Sequence, residues 1–104
     1  MAAPVRTPEQ RAAALDAALQ ARRLRAQLRV DLKSGQLDPT VIVSGAGQDA
    51  NYANLRVRWL LESLPGVGPI KAEHVMDQLG IAATRRVGGL NDRQRALLVE
   101  TIAR

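Results

Sequence analysis

The sequence contains no cysteine and no phenylalanine, and only one tryptophan, one tyrosine and one histidine among its 104 residues. The missing thiols exclude a disulfide framework, cysteine-ligated metal and thiol chemistry, and they agree with a reducing cytoplasm. So few rings leave little material for base stacking, and the 46% of residues that are hydrophobic must build an aliphatic core. Long apolar runs are missing too. The alanine-rich stretch from Ala12 to Ala21 is broken by Asp16 and Gln20. Nothing approaches the roughly 20 apolar residues needed to span a bilayer, and no signal peptide is evident. The expectation is a soluble, cytoplasmic protein without a membrane partner.

Catalytic constellations are equally scarce. His74 has Asp77 and Gln78 at helical spacing, which makes a satisfied surface histidine; the further ligands of a metal site are missing. Ser34, Ser44 and Ser63 have no recognisable base or nucleophile elbow. Gly66-Val67-Gly68 lacks the third glycine and preceding strand of a dinucleotide site and the Gly-Lys-Ser/Thr of a P-loop. No enzyme activity, cofactor or metal is expected.

What the chain does carry is positive charge. Fifteen Lys and Arg against ten Asp and Glu give a formal net charge of +5, which favours an anionic partner such as nucleic acid or an acidic membrane surface. The charge is concentrated. Thr7-Pro8-Glu9-Gln10 reads as a helix start, with Thr7 as N-cap, Pro8 at the first helical position and Gln10 placed for a capping box. Helix formers run on to Lys33, and Gly35 follows as C-cap, giving about 25 residues and about 40 Å of helix. Its second half places Arg22, Arg25, Arg29 and Lys33 on one face, beside an apolar stripe of Leu24, Leu28 and Leu32. That face is either a DNA contact or a solvated surface.

Beyond the long helix, Asp38-Pro39-Thr40 starts a short helix through Val41-Ile42-Val43, cut off at Ser44-Gly45. A loop through Asn51 is expected next, then a helix from about Asn54 or Leu55 to Leu64 with Arg56 and Arg58 near its start. Trp59 in that run is either core or a stacking group. Pro65 ends the run, and Gly66-Val67-Gly68-Pro69 turns the chain into a helix carrying Ala72, Val75, Met76 and Leu79 on one face as far as Gly80. Both glycines are expected to hold backbone angles that side chains forbid, and the helix start offers amides to a phosphate, with Lys71 adding charge. A plain helix-helix turn accounts for the same residues. An exposed Arg85-Arg86 pair follows between apolar anchors. Asn91 caps a last helix with Leu97, Leu98 and Ile102 facing inward, and Arg93 and Arg95 flank this second turn. The fold class is all-α: a tail over residues 1–7, a basic helix over 8–35 and a compact helical domain over 36–104, forming one structural unit.

The run from Leu60 through Leu64-Pro65-Gly66-Val67-Gly68 and Lys71-Ala72 to Thr84-Arg85-Arg86-Val87 and Gly89-Leu90 closely resembles the actinobacterial integration host factor family. The likeness extends to Thr7–Leu15 and Ala21-Arg22-Arg23, leaving only about residues 36 to 53 unclear. The resemblance implies a long N-terminal helix on a domain with a helix-two-turns-helix element, like that of an S13-like ribosomal protein family and of formamidopyrimidine-type DNA glycosylases. It also implies a monomeric, nucleoid-associated protein that binds duplex DNA with little sequence preference and assists a phage integrase–DNA complex. Gly66, Val67, Gly68 and Lys71 match the turn facing the sugar-phosphate backbone, and Arg85 and Arg86 match the family's basic loop. Two residues depart from the pattern. Pro69 stands where relatives usually carry Lys, and Gly88 where they often carry a third Arg, so affinity through this face is either weaker than is typical or leans more on Arg56, Arg58 and the first helix.

The expected DNA-binding set is therefore Gly66, Val67, Gly68, Lys71, Arg85, Arg86, Arg56, Arg58, Arg93, Arg22, Arg25 and Arg29, with Val67 or Pro69 as the apolar groups able to enter a minor groove. Bending and bridging of DNA both remain open. An RNA- or ribosome-binding protein would use the same turn on A-form backbone, and a protein-docking module would use the long helix as its arm. A glycosylase would need a catalytic N-terminal proline or nearby acid; the sequence opens Met1-Ala2-Ala3.

Overall fold

Thr7 determines where the longest element begins. A computed structural model of the chain describes residues 5–103; most of the expected tail, residues 1–4, lies outside the described residues. The Thr7 hydroxyl accepts from the Gln10 amide at 3.1 Å and the Gln10 side chain returns a bond to the Thr7 amide at 2.9 Å. Helix α1 then runs over Pro8–Ser34 and ends on Gly35, whose φ of 80° is left-handed. Only its second half is anchored: Leu28 and Leu32 are buried and Leu24 packs against the same core, as the apolar stripe predicts.

Asp38 caps α2 (Pro39–Gly45), which buries Ile42 and Val43. Bonds from the Thr40 amide and hydroxyl hold the Asp38 carboxyl below the usual carboxylate range. Its folded pKa is depressed, so this cap supports the fold at neutral pH and is lost as the pH falls through that lowered value.

The next stretch departs from expectation. Asn51 lies not in a loop but in a single helical turn, α3 (Ala50–Ala53), started by Asp49 accepting from the Asn51 amide. The following helix, α4 (Val57–Glu62), begins two or three residues later than its apolar spacing suggests. Leu55 and Arg56 are drawn instead into an extended clasp. Arg56 forms an isolated antiparallel bridge with Arg86, the Val57 amide donates to the Arg85 carbonyl at 3.0 Å, and the Val87 amide donates to the Leu55 carbonyl at 2.8 Å. A partner 30 residues away in the chain satisfies these groups, which local periodicity cannot register.

Helix α5 (Pro69–Leu79) buries Ala72 and Met76, a 3₁₀ turn covers Val87–Gly89, and α6 (Asp92–Ile102) starts on Asn91 with a full capping box to Gln94. On α6 the inward set is Leu98 and Ile102 with Val99 against the core; Leu97 is half-buried and outside the cluster, one position off the expected face. Arg95 staples this helix down, donating to the carbonyls of Val43 at 2.9 Å and Leu90 at 3.2 Å. Among the described residues the architecture is six α-helices and one 3₁₀ turn around one aliphatic core, with no strand.

Gly88 explains how the 3₁₀ turn sits so closely on α3. A Cβ built there would lie 2.7 Å from the Ala53 Cβ and 3.2 Å from the Ala53 carbonyl oxygen. An arginine at this position would therefore have to displace α3. Gly88→Ala is expected to destabilise the fold by about 1–3 kcal/mol through overpacking, read as a lowered denaturation midpoint.

Candidate nucleic-acid interface

Two turns flank α4; three arginines collect at the first and Lys71 stands at the second. At its start, the clasp holds Arg56, Arg85 and Arg86, all exposed. Arg86 Nη1 donates to the Asn54 carbonyl at 2.6 Å, Arg85 Nη1 to the Gly89 carbonyl at 3.2 Å, and Arg56 Nη1 lies 3.5 Å from the Thr84 carbonyl. Each guanidinium has five donors, so these single bonds orient the group and leave most of its fork for an anion. Arg58 is half-buried and paired with Glu62 at 3.0 Å, an i,i+4 contact worth only a few tenths of a kcal/mol.

At the other end of α4, the Leu64 amide donates to the Leu61 carbonyl and the Val67 amide to the Leu64 carbonyl, closing a turn that hands the chain to α5. Gly66 has φ +75°, where a side chain would be strained. Gly68 does not need to be glycine for the chain's own sake: its φ of −94° and ψ of −175° are ordinary, and a Cβ there would meet nothing within 4 Å. The expectation of forbidden angles holds for Gly66 only. What Gly68 preserves is an open approach to the backbone. Val67 is half-buried and packed on the core, so it is no wedge; the exposed apolar group is Ile70, unmarked by any motif, beside the exposed Pro69 and Lys71. Behind the turn lies a cleft of about 540 Å³ lined by Leu64, Val67, Lys71 and the ends of α1, α2 and α6.

Helix α4 is six residues, about 9 Å long, so the two stations lie at the two ends of one short helix.

The basic face of α1 divides. Arg22 and Arg25 are exposed and make no hydrogen bond among the described residues. Arg29 instead turns to the body: its Nε donates to the buried Ser63 hydroxyl at 3.1 Å and its guanidinium lies 5.1 Å from the Trp59 ring centre. Lys33 Nζ approaches the Glu62 carbonyl at 3.4 Å. Both cations meet the C-terminal end of α4, where the helix dipole favours them, so these two charges dock the long helix. Trp59 is half-buried against the core on the same contact. Arg93 is exposed near the start of α6, and His74 is exposed, with no bond to Asp77 or Gln78 among the described residues. Among the described residues no cluster of acidic and histidine side chains could hold a metal, and no helix is long and apolar enough to cross a membrane.

The S13-like H2TH domain pattern matches residues 32–102, which contain both turns. The integration host factor of Mycobacterium tuberculosis is 49% identical over 100 residues, covering 96% of this chain and 95% of that protein. The integration host factor of Streptomyces coelicolor is 50% identical over 99 residues, covering 94% and 92%. A solved structure of sIHF bound to an 8bp palindromic DNA has a TM-score of 0.80 at 35% identity and covers 85% of this chain and 99% of that one.

Proposed function

The chain belongs to the actinobacterial integration host factor family, with an S13-like H2TH domain over residues 32–102, and from that membership we propose that it is an architectural protein binding duplex DNA. The observation that carries the reading is its likeness to a relative solved on DNA. Its own geometry supports the same conclusion: two exposed basic stations at the ends of one short helix suit successive backbone phosphates. In this reading Gly66, Gly68 and Lys71 meet the backbone at one station, and Arg56, Arg85 and Arg86 meet it at the other. Arg58 and Arg93 lie at the margins, and Arg22 and Arg25 reach the flanking duplex. Arg29 serves the interface through the docking of α1. Contacts of this type bring affinity without sequence information. The same reading has the protein act as a monomer on the nucleoid in the cytoplasm, bending or bridging DNA and assisting an integrase–DNA complex in recombination.

The test is fluorescence anisotropy with unrelated short DNA duplexes across a salt series, with a matched RNA duplex as competitor. Sequence-indifferent, steeply salt-dependent DNA binding supports the reading. Preference for RNA moves the function to the ribosomal type of partner, and absence of binding at low salt removes it. Gly68→Val sharpens the same assay. The position tolerates a side chain in the free chain, so the variant is expected to keep its helical circular dichroism and lose roughly tenfold in DNA affinity, in the range of one or two lost backbone hydrogen bonds. A folded variant with full affinity would make Gly68 a simple turn residue.

A further inference from the structure

Ile70 is 85% exposed at the second position of α5, directly after Pro69 and the open Gly68. In a helix the Cα–Cβ bonds lean towards the N-terminus, so Ile70 leans towards the tip of the turn rather than along α5. The tip is also poor in polar groups: Gly68 has no side chain, and Pro69, exposed as well, has no amide hydrogen. The side-chain surface at this station is therefore apolar and flanked by one cation, Lys71. A phosphate goes to the amides that open α5, and this patch lies beside them. An aliphatic patch suits the other component of a nucleic-acid backbone, the sugar.

We propose that Pro69 and Ile70 form a sugar contact that makes this turn select deoxyribose over ribose. The inference rests on the DNA-binding reading above and deepens it. The C2′ methylene of a deoxyribose packs on an aliphatic side chain without loss. A ribose presents a hydroxyl there, which the contact strips of water and leaves without a partner; a polar group buried in that way weakens binding about tenfold or more. The 2′-hydroxyl is also the group through which proteins distinguish the two backbones at a single site. Lys71 supplies charge to either backbone equally, so at this turn discrimination at the sugar comes from the apolar pair.

The experiment compares the wild type, Ile70→Asn and Ile70→Val on three duplexes of one sequence: DNA, RNA, and RNA carrying 2′-fluoro sugars, which keep the A-form shape and lack the hydroxyl. The wild type is expected to bind DNA at least tenfold more tightly than RNA, and 2′-fluoro RNA several-fold more tightly than RNA. Ile70→Asn, which offers the hydroxyl a partner, is expected to narrow both differences several-fold, and Ile70→Val to preserve them. Because the side chain is exposed, unchanged circular dichroism accompanies all three proteins. Equal binding of RNA and 2′-fluoro RNA by the wild type, or an unchanged DNA-to-RNA ratio in Ile70→Asn, overturns the sugar contact while leaving DNA binding in place. A wild type that binds no DNA overturns both.

Discussion

Replacing Arg85 and Arg86 together by alanine is expected to lower DNA affinity roughly fifty-fold at 0.1 M salt and to reduce the salt slope by about 1.8, the value for two lost phosphate contacts at 0.9 each. The loss should be alike on unrelated sequences, because phosphate contacts carry no base information. The pair sits in the clasp with Leu55–Val57, and its backbone bonds, from Val57 to Arg85 and from Val87 to Leu55, do not depend on the guanidinium groups. The side-chain bonds to the Asn54 and Gly89 carbonyls are lost, but both are exposed contacts, so the denaturation midpoint should move by only a few degrees. An unchanged slope in a folded double variant would show that this loop does not touch DNA and would leave the turn at Gly66 to Lys71 as the main station.

The largest effect on stability is expected at Leu32. It is 1% exposed and is the deepest residue by which α1 joins the core. Leu32→Ala should cost about 2–5 kcal/mol; at about 4–8 °C per kcal/mol for a domain of this size, the midpoint falls by roughly 10–20 °C or more. Leu15→Ala, in the half of α1 that contributes nothing to the core, should change stability by only about 0.5 kcal/mol. Comparable costs at the two sites would mean that the first half of α1 is supported after all. Leu32→Ala also loosens the docking of Arg29 on Ser63 and Trp59, so residual DNA binding by the folded fraction reports whether Arg22 and Arg25 need a fixed helix to act.

The contrast between Leu32 and Leu15 shows how far linear patterns reach. Leucines at 24, 28 and 32 mark the anchored face of α1 because a helix repeats every 3.6 residues. The same pattern grouped Arg22, Arg25, Arg29 and Lys33 as one basic face without showing that two of them meet the end of α4. Glycine spelling misled in a similar way: Gly66 and Gly68 look alike in sequence, yet one carries a positive φ and the other an open extended geometry.

Local chemistry by itself determined the helical class, the capping of α1, α2 and α6 by Thr7, Asp38 and Asn91, and the end of α1 at Gly35. Those features depend on groups within about four residues of each other, where backbone geometry fixes the partners in advance. Tertiary structure decided the clasp of Leu55–Val57 with Arg85–Val87, the fit of Gly88 against Ala53, and the inward turn of Arg29 and Lys33. It also decided that Ile70 rather than Val67 stands exposed at the turn. Each depends on residues about 30 or more apart in the chain, or on which side chain a neighbouring helix happens to cover, and spacing along one segment holds no record of either.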